Sequence, residues 1–319
     1  MSRRLQLRAL LVFNPNATTT DDRVRDVISS ALASEVDLEV HATKQRGHAT
    51  HIVAGAVHEG VDVVFALGGD GTANEVLQAL AGTEVILGVI PGGGANVLAR
   101  SLGLPNESVH ATGVLLDHLR HQRTRRISLG RAAGRYFGFN AGLGFDAAIV
   151  RATEQNLRMK RLLRQGAFVS LGLREWFGGP DRRDPVMSVE LPGGEPRGPY
   201  TVTMVGNTDP YTFLGARAFR ATPDASFEQG LDLLGVRPVG TAALLRILAG
   251  AFAEGRHVRS RHCDYWRDLP EFTLTATRPQ PLMVDGDYAG EHTAVTFESV
   301  PDALSVLAAP PAESPATGV

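Results

Sequence analysis

Segments with the spacing of strands and of helices alternate along the first 125 residues. Short apolar runs are followed by segments whose apolar residues recur every three or four positions, the period of an amphipathic helix. The predicted strands are Ala9–Asn14, Val36–Ala42, Val61–Leu67 and Val85–Ile90. Four helices are predicted. The first is capped by Thr20 or Asp21 and ends near Ala33, the second is His48–Glu59, the third ends near Leu80, and the fourth follows Gly94. This alternation predicts parallel βαβ units in a three-layer sandwich.

After residue 125 the pattern changes to short β-branched or alternating runs separated by glycine and proline. Such runs favour a mainly antiparallel β domain with a few inserted helices. The predicted strands are Tyr136–Asn140, Val186–Leu191, Tyr200–Val205, Leu231–Val236, Phe272–Thr277, Leu282–Val284 and Ala294–Phe297, and the predicted helices are Leu157–Phe177 and Thr241–Glu254. We expect an α/β domain over residues 1–125 and a β-rich domain over residues 126–309, whose last segment can pack back on the first domain. Residues 310–319 are rich in Pro, Ala and Ser and are expected to be a disordered tail.

The composition narrows the classes of function. The chain has 319 residues, 43% of them hydrophobic, and a net charge of −2, which argues against a protein that coats nucleic acid. The single cysteine, Cys263, excludes an internal disulfide and a cysteine metal cluster. No uninterrupted apolar stretch reaches about 18 residues, so we expect no transmembrane helix. Lysine occurs only at Lys44 and Lys160, so no glycine-rich loop is followed by lysine and the P-loop pattern is absent.

Two glycine-rich turns each join a predicted strand to a predicted helix. The first is Gly68-Gly69-Asp70-Gly71-Thr72, and the second is Pro91-Gly92-Gly93-Gly94. Glycine lets the backbone approach a ligand closely, and the start of a helix offers free N–H groups to phosphate. The carboxyl ends of neighbouring parallel strands lie at one edge of a sheet, where α/β proteins bind ligands. The alternative is a pair of tight structural turns in which Asp70 is a helix cap.

Six motifs occur in a fixed order along the chain. They are Asn14-Pro15; Thr43 with Gly47-His48-Ala49; Gly68–Thr72 with Asn74 and Glu75; Pro91–Arg100 with Leu102, Gly103 and Pro105; Phe139–Asp146; and Asp285-Gly286-Asp287. Together they resemble the bacterial diacylglycerol kinase and sphingosine kinase family of lipid kinases. That family has a two-domain architecture whose nucleotide-binding α/β domain is similar to NAD kinases and phosphofructokinases.

The resemblance implies that ATP binds in a cleft between the two domains. The residues implied to contact the nucleotide or its phosphates are Asn14, Thr43, Gly68, Gly69, Asp70, Gly71, Thr72, Asn74, Glu75, Gly93 and Gly94, the last two through backbone N–H groups. Asp70 is also implied to help hold Mg²⁺ through water. Transfer of the γ-phosphate concentrates negative charge, which magnesium and amide donors offset.

The resemblance also implies a catalytic base. The family has a glutamate at the position of Asp287, and a carboxylate there can take the proton from a lipid hydroxyl as it attacks phosphorus. Asp287 is one methylene shorter than glutamate, and Glu291, four residues later, is the rival. The alternative is that Asp285-Gly286-Asp287 is a hairpin turn with solvated acids.

The chain departs from the family pattern where the family often has polar or acidic residues. Gly94 stands at a position where the family usually has Ser or Thr, and Val97 at a position where it often has Asp. Many members also have an acidic residue near the position of Ser128. A second, distal magnesium site would use the positions of Ser226, Gln229 and Leu231, and Gln229 takes the place of an Asp. Hard cations prefer carboxylate oxygen, so this distal site is doubtful. Glu228 and Asp232 are the carboxylates nearest to it in sequence.

The sequence favours an ATP-dependent lipid kinase that phosphorylates a diacylglycerol-like or sphingoid lipid. Arg151–Arg183 holds eight basic residues against three acids, so we expect it to dock on an anionic membrane, with a domain-packing helix as the alternative. The expected location is cytoplasmic, peripheral on the inner face of the membrane. The expected partners are the lipid substrate and that membrane, without nucleic acid, and a homodimer is left open. The other functions left open are a kinase for a soluble substrate such as NAD and a non-catalytic lipid- or nucleotide-binding regulator.

Overall fold

The computed structural model describes residues 6–15, 21–144 and 186–310. These residues form two compact units. The first contains the described residues up to Ile127 together with those from Leu304 onwards, and the second contains those from Ser128 to Ala303. The predicted helix Leu157–Phe177, the basic stretch Arg151–Arg183 and the tail beyond residue 310 lie outside the described residues.

A parallel sheet with helices on both sides forms the first unit. The strands are β1 Arg8–Phe13, β2 Asp37–Ala42, β3 Val63–Gly68 and β4 Ile86–Pro91, and the helices are α1 Asp22–Ala33, α2 His48–His58, α3 Asp70–Leu80, α4 Val97–Ser101 and α5 Ser108–Arg120. The strand order is β4-β3-β1-β2, and near the end of the chain Ser305 and Val306 pair in parallel with Ile86 and Leu87 of β4. Helix α1 packs against α5, and α2 packs against α3. Every residue of β3 is buried, as expected for a parallel strand covered on both faces.

These elements confirm the predicted alternation in the first unit. The four predicted strands and the first three predicted helices have the observed order, with ends that agree within two residues. Asp21 caps α1 by accepting a hydrogen bond from the Val24 N–H at 2.8 Å. Helix α5 was not predicted. Its first turn is capped by Glu107, a residue type that rarely marks a helix start, and Gly113 interrupts its interior.

The second unit is mainly antiparallel. Its elements are β5 Thr124–Ala132, β6 Arg135–Phe137, β7 Asn140–Leu143, β8 Met187–Glu190, β9 Arg197–Tyr200, β10 Val202–Gly206, β11 Thr212–Leu214, β12 Arg217–Phe219, β13 Leu231–Val236, α6 Thr241–Phe252, a 3₁₀ turn Arg256–Arg259, β14 Cys263–Leu269, β15 Glu271–Val284 and β16 Asp287–Leu307. Strands β5 and β16 begin or end in the first unit. The central order is β14-β13-β10-β7-β15-β16, and β8 pairs with a second part of β15.

An aromatic core holds the second unit together. The rings of Phe272 on β15 and Phe297 on β16 stack with centroids 5.2 Å apart, and both side chains are buried. The predicted strands Phe272–Thr277 and Leu282–Val284 are two parts of β15. The mainly antiparallel domain was predicted correctly, although β5, β11, β12 and β14 were not predicted as strands. Among the residues that the structure describes, no helix combines the length and hydropathy needed to cross a bilayer.

Candidate functional site

The first glycine-rich turn connects β3 directly to α3. Gly69 is the N-cap residue of α3, and the helix begins at Asp70. The N–H groups of Thr72 and Ala73 donate to the Gly69 carbonyl at 3.0 and 3.1 Å. Because Gly69 has no side chain, it makes no side-chain hydrogen bond to the start of this helix. The positive end of the helix dipole at α3 is therefore not capped by its N-cap residue.

The two glycine-rich turns are in backbone contact. The Gly92 N–H donates to the Gly68 carbonyl at 2.7 Å. A Cβ atom added to Gly93 would lie 2.6 Å from the Cα of Gly69, and one added to Gly68 would lie 2.6 Å from the Thr72 Oγ1. No side chain fits at such distances. Gly93 is therefore required for the two turns to pack against each other, and Gly68 is required for the first turn to close on the Thr72 side chain.

Gly71 and Gly94 have no such packing reason. A Cβ atom added to either residue would meet no atom within 4 Å, and neither residue has a left-handed backbone conformation. Both are exposed. The absence of a side chain at these two positions leaves open space beside the start of α3, which suits the close approach of a phosphate group.

This difference predicts that alanine substitutions at Gly93 and Gly94 have different effects. Gly93→Ala is expected to lower the free energy of unfolding by about 1–3 kcal/mol, the usual effect of overpacking, because the new methyl group meets backbone that cannot move freely. Gly94→Ala is expected to change stability by less than about 0.5 kcal/mol and to weaken nucleotide binding. Urea unfolding and nucleotide titration of both variants measure the two effects. Equal stability of the two variants would contradict the packing role of Gly93.

Asn96 holds the second turn in shape. Its Oδ1 accepts a hydrogen bond from the Gly93 N–H at 2.8 Å, and its Nδ2 donates to the Gly93 carbonyl at 2.9 Å and to Asn106 Oδ1 at 2.8 Å. The Gly93 N–H is thus engaged inside the protein, and the exposed Gly94 is the better candidate for a phosphate contact. Sequence reasoning did not single out Asn96. Its left-handed backbone, with φ of 49°, is a conformation that asparagine adopts more readily than most residues.

Asp70 connects the two turns through its side chain. Its Oδ1 accepts a hydrogen bond from the Leu98 N–H at the start of α4, at 3.2 Å. Burial raises the pKa of Asp70 to about 6, although backbone N–H groups of Leu98, Val97 and Asn96 favour the charged form. Asp70 therefore contacts the beginning of the next helix as well as opening its own, and its carboxylate is held close to the open space beside Gly71 and Gly94.

The raised pKa of Asp70 predicts that its charge lowers stability. The folded-state pKa of about 6 exceeds the unfolded value of 3.8. Between these pH values the native state binds more protons than the unfolded state, so the free energy of unfolding falls as pH rises through about 6. Asp70→Asn in the nucleotide-free protein is expected to be more stable than wild type by about 1–3 kcal/mol at pH 7, and the difference is expected to shrink towards zero near pH 4. Urea unfolding from pH 4 to pH 8 measures it. A pH-independent difference would exclude this cause.

Asn14 and Thr43 lie at the carboxyl ends of neighbouring strands beside the first turn. The Asn14 N–H donates to the Leu67 carbonyl at 3.2 Å, and the Thr43 N–H donates to the Phe13 carbonyl at 2.8 Å. These bonds extend the β1–β3 and β1–β2 pairing by one residue. The sheet thus brings both residues to the edge at which the GGDGT turn begins.

Two further predicted nucleotide contacts have structural partners within the first unit. The Glu75 carboxylate accepts hydrogen bonds from the N–H groups of Gly47 at 2.7 Å and Ala49 at 3.0 Å, so it stabilises the start of α2. Asn74 is buried and accepts a hydrogen bond from the Gln78 Nε2 at 3.3 Å. These contacts explain both side chains without a ligand, and their contact with nucleotide stays a prediction.

Asp285 and Gly286 form a two-residue hairpin turn between β15 and β16. Val284 pairs with Asp287, and both turn residues have positive φ, 47° at Asp285 and 80° at Gly286, as in a type I′ turn. Asp285 is buried, and its carboxylate accepts hydrogen bonds from the N–H groups of residues 138, 139 and 140 at 2.7, 3.0 and 3.1 Å. The alternative of a turn with solvated acids is therefore wrong for Asp285, which fixes the hairpin against the segment before β7.

Asp287 and Glu291 point to opposite faces of the hairpin. Asp287 pairs with Val284, and Glu291 pairs with Pro281. Paired residues share a face, while residues three apart on one strand do not, so Val284 and Pro281 carry their partners to different sides. The extra residue of β16 is accommodated by an irregularity near Gly290, whose φ is 100°. The two carboxylates therefore cannot replace each other.

Asp287 is partly buried and lies near a cation. The Arg135 guanidinium on β6 is 3.6 Å from the Asp287 carboxylate. Glu291 is exposed, and its Oε1 accepts a hydrogen bond from the Tyr288 hydroxyl at 3.2 Å. Asp287 thus occupies the more sheltered and more positively charged environment of the two.

The residues implied for the doubtful distal magnesium site offer few side-chain oxygens to a cation, and the site stays doubtful. Gln229 is exposed, Leu231 is buried in the core, and the Ser226 hydroxyl donates to Glu228 at 2.6 Å. The buried Asp232 carboxylate is occupied by the Tyr265 hydroxyl and by the Asp268 N–H, and burial raises its pKa. The part of the chain that the structure describes contains no group of three or more His, Cys, Asp or Glu side chains suited to a metal ion.

The comparisons with known proteins agree with this geometry. The family model described as the diacylglycerol kinase catalytic domain matches residues 8–132. Over these residues the chain is similar to the diacylglycerol kinase family. Its relatives include a diacylglycerol kinase of Bacillus subtilis (strain 168), 28% identical over 295 residues that cover 89% of this chain and 90% of the relative. A diacylglycerol kinase of Staphylococcus aureus (strain MRSA252) is 25% identical over 293 residues, with 90% and 88% covered.

Solved structures share the fold over nearly the whole chain. A diacylglycerol kinase from Bacillus anthracis str. Sterne has a TM-score of 0.67 at 19% identity and covers 95% of this chain and 97% of its own. An NAD kinase from Archaeoglobus fulgidus in complex with ATP has a TM-score of 0.51 at 13% identity, with 94% and 93% covered. The predicted fold class, an NAD kinase-like α/β domain followed by an antiparallel β domain, is confirmed. The relatives named diacylglycerol kinases support a lipid kinase family.

Proposed function

We propose that this protein is an ATP-dependent lipid kinase that transfers the γ-phosphate to a hydroxyl of a diacylglycerol-like or sphingoid lipid. The observation that carries the proposal is the pair of glycine-rich turns, the β3–GGDGT–α3 turn with the exposed Gly71 and the turn after β4 with the exposed Gly94, where an added Cβ would meet no atom within 4 Å. This feature suits polyphosphate, and it occurs in a chain whose relatives are named diacylglycerol kinases.

The nucleotide side of the proposed reaction rests on the first unit. The start of α3 and the Gly94 backbone would bind the phosphates, while Asn14 and Thr43 at the neighbouring strand ends would contact the nucleotide. Asp70 offers one sheltered carboxylate, which fits Mg²⁺ bound mainly by substrate phosphates and water, and no distal magnesium site is proposed. Magnesium, when bound, would offset the negative charge that phosphoryl transfer concentrates.

The acceptor side of the proposed reaction rests on Asp287. Its carboxylate would accept the proton of the lipid hydroxyl while the hydroxyl oxygen forms a bond to the γ-phosphorus and the bond to ADP breaks. Arg135, 3.6 Å away, would orient the Asp287 carboxylate for this step. Asp285, with its three backbone hydrogen bonds, would keep the hairpin that carries Asp287 rigid.

The proposed place of this reaction is the cytoplasmic side of a membrane, with the enzyme bound peripherally. A supply of ATP and an acceptor lipid that stays in a bilayer both favour that place. The stretch Arg151–Arg183, predicted to dock on the bilayer, lies outside the described residues and stays a prediction. A homodimer also stays open.

Purified protein incubated with labelled ATP, magnesium and mixed micelles of single lipids tests the proposed function. Label in the organic phase with diacylglycerol or a sphingoid base is the expected result, and the extracted product identifies the lipid. Transfer to NAD in place of lipid would support a kinase for a soluble substrate. Nucleotide binding without transfer to any acceptor would support a regulator and contradict the proposal.

A further inference from the structure

Helix α6 is mostly apolar although one side is exposed. Its sequence, Thr241–Phe252, contains one charged residue, Arg246. Leu244, Ile247 and Ala251 are buried and face the sheet of the second unit, where they pack with residues such as Leu234. A helix on the surface of a soluble protein normally has charged or polar residues on its outer face. The outer face of α6 therefore lacks the composition that water favours.

The exposed residues of α6 form one continuous stripe. At about 100° per residue, the exposed positions cover a face about 120° wide and lie opposite the buried ones. They are Ala242, Leu245, Arg246, Ala249 and Phe252. Leu245 is 53% exposed and Phe252 is 39% exposed, and they are two of the five exposed large hydrophobic residues in the described part of the chain. The Phe252 ring also contacts Phe219 on β12, with centroids 5.2 Å apart, so the apolar surface continues beyond the helix.

Arginines are frequent within this stripe and in the residues that follow it. Residues 241–262 contain four arginines, Arg246, Arg256, Arg259 and Arg261, and one acid. All four arginines are exposed. The acid, Glu254, is 3.3 Å from the Arg220 guanidinium, which also pairs with Asp209. Apolar side chains next to several arginines are the combination that binds the interface of an anionic bilayer.

We propose that the α6 stripe, Ala242–Phe252 with the arginines that follow it, lies in the headgroup region of an anionic lipid bilayer. The twelve residues of α6 are too few to cross a bilayer, so the helix lies parallel to the surface and inserts Leu245 and Phe252. This surface is separate in sequence from Arg151–Arg183. The inference rests on the proposed function in one respect, since a lipid substrate would bring the protein to a membrane.

A second copy of the chain fits this surface less well. A symmetric dimer would place the same stripe of each copy against the other and would bring their arginines together. Like charges that approach each other at an interface are unfavourable, and the cores of protein interfaces are depleted of charge. Anionic headgroups instead complement all four arginines.

Vesicle binding without nucleotide tests the proposal apart from catalysis. The full-length protein is sedimented with vesicles of phosphatidylglycerol mixed with phosphatidylcholine and with vesicles of phosphatidylcholine alone. Wild type is expected to bind the anionic vesicles and to be released as salt rises. Leu245→Gln is expected to weaken binding by about tenfold, and Arg246→Gln by roughly fivefold. Val27→Gln, at a 49% exposed position of α1, is the matched control and is expected to bind as wild type.

A fluorescent label reports directly on insertion. The only native cysteine, Cys263, is buried, so Leu245→Cys can be labelled selectively with an environment-sensitive dye. Its emission is expected to shift to the blue on anionic vesicles, while the same dye on Val27→Cys is expected not to shift.

Three outcomes would overturn the proposal: wild type that does not bind anionic vesicles, a Leu245→Gln variant that binds them as wild type does, or a dye at position 245 that stays in water when the protein is bound. Sedimentation without lipid completes the test. If wild type is a dimer that Leu245→Gln dissociates, and vesicle binding is unchanged, the stripe belongs to an interface with a second copy. Lipid phosphorylation in micelles is measured separately, so a failed kinase assay leaves the vesicle result interpretable.

Discussion

Asp70→Asn is expected to lower magnesium-dependent turnover of ATP by about 10²- to 10³-fold, the range measured when one group that stabilises transition-state charge is removed. The substitution keeps the shape of the side chain and an oxygen that can accept the Leu98 N–H at 3.2 Å, so the fold should be preserved. It removes the negative charge that we propose helps to hold magnesium beside the phosphates. Steady-state kinetics with and without magnesium, on protein checked by circular dichroism, measure the effect.

Asp26→Asn is the matched control, because Asp26 is an exposed acid of the same unit that pairs with Arg25 at 2.8 Å on α1. It is expected to retain wild-type turnover. The Asp70 variant should combine higher stability at pH 7 with lower activity, since the same buried charge that lowers stability would serve the reaction. Near wild-type turnover of Asp70→Asn would remove Asp70 from the mechanism.

Asp287→Asn is expected to lower turnover by about 10²-fold or more and to leave the affinity for ATP unchanged. Asparagine keeps the volume of the side chain but cannot accept the hydroxyl proton. The hairpin should persist, because Asp285 and its three backbone hydrogen bonds are untouched. Lipid phosphorylation and nucleotide titration measure the two quantities.

Glu291→Gln is the matched control for Asp287→Asn, because Glu291 lies on the same hairpin but points to its other face. It is expected to retain most of the wild-type turnover. A large loss in Glu291→Gln together with normal turnover in Asp287→Asn would move the base by four residues and would require the hairpin to adopt a different register.

Local pattern predicted the first unit well for a physical reason. Parallel strands such as Val63–Gly68 are buried on both faces and read as continuous apolar runs, while the helices between them repeat with their own period. The glycine-rich turns were recognisable because glycine and aspartate after an apolar run are uncommon without a conformational or ligand-binding reason. Helix α5 was missed because Glu107 and Gly113 weaken its local signals.

The sequence also indicated which carboxylates to examine, because Asp70 and Asp287 stand in recognisable motifs. The sequence could not show that Gly93 packs on Gly69 while Gly94 has open space beside it. Both are glycines in one run, and only the position of the second turn in space distinguishes them. Nor could it show that the Glu75 carboxylate stabilises the start of α2, since Gly47 is 28 residues away along the chain.

Two further features depend on contacts between distant parts of the chain. The placement of Asp287 and Glu291 on different faces follows from one extra residue in β16, which the pairing with β15 shows and the sequence spacing of four residues does not. The apolar run Thr241–Phe252 predicts a helix but not which side of it the sheet covers. Periodicity fixes local conformation because it depends on neighbouring residues, whereas the environment of a side chain depends on residues that only folding brings near it.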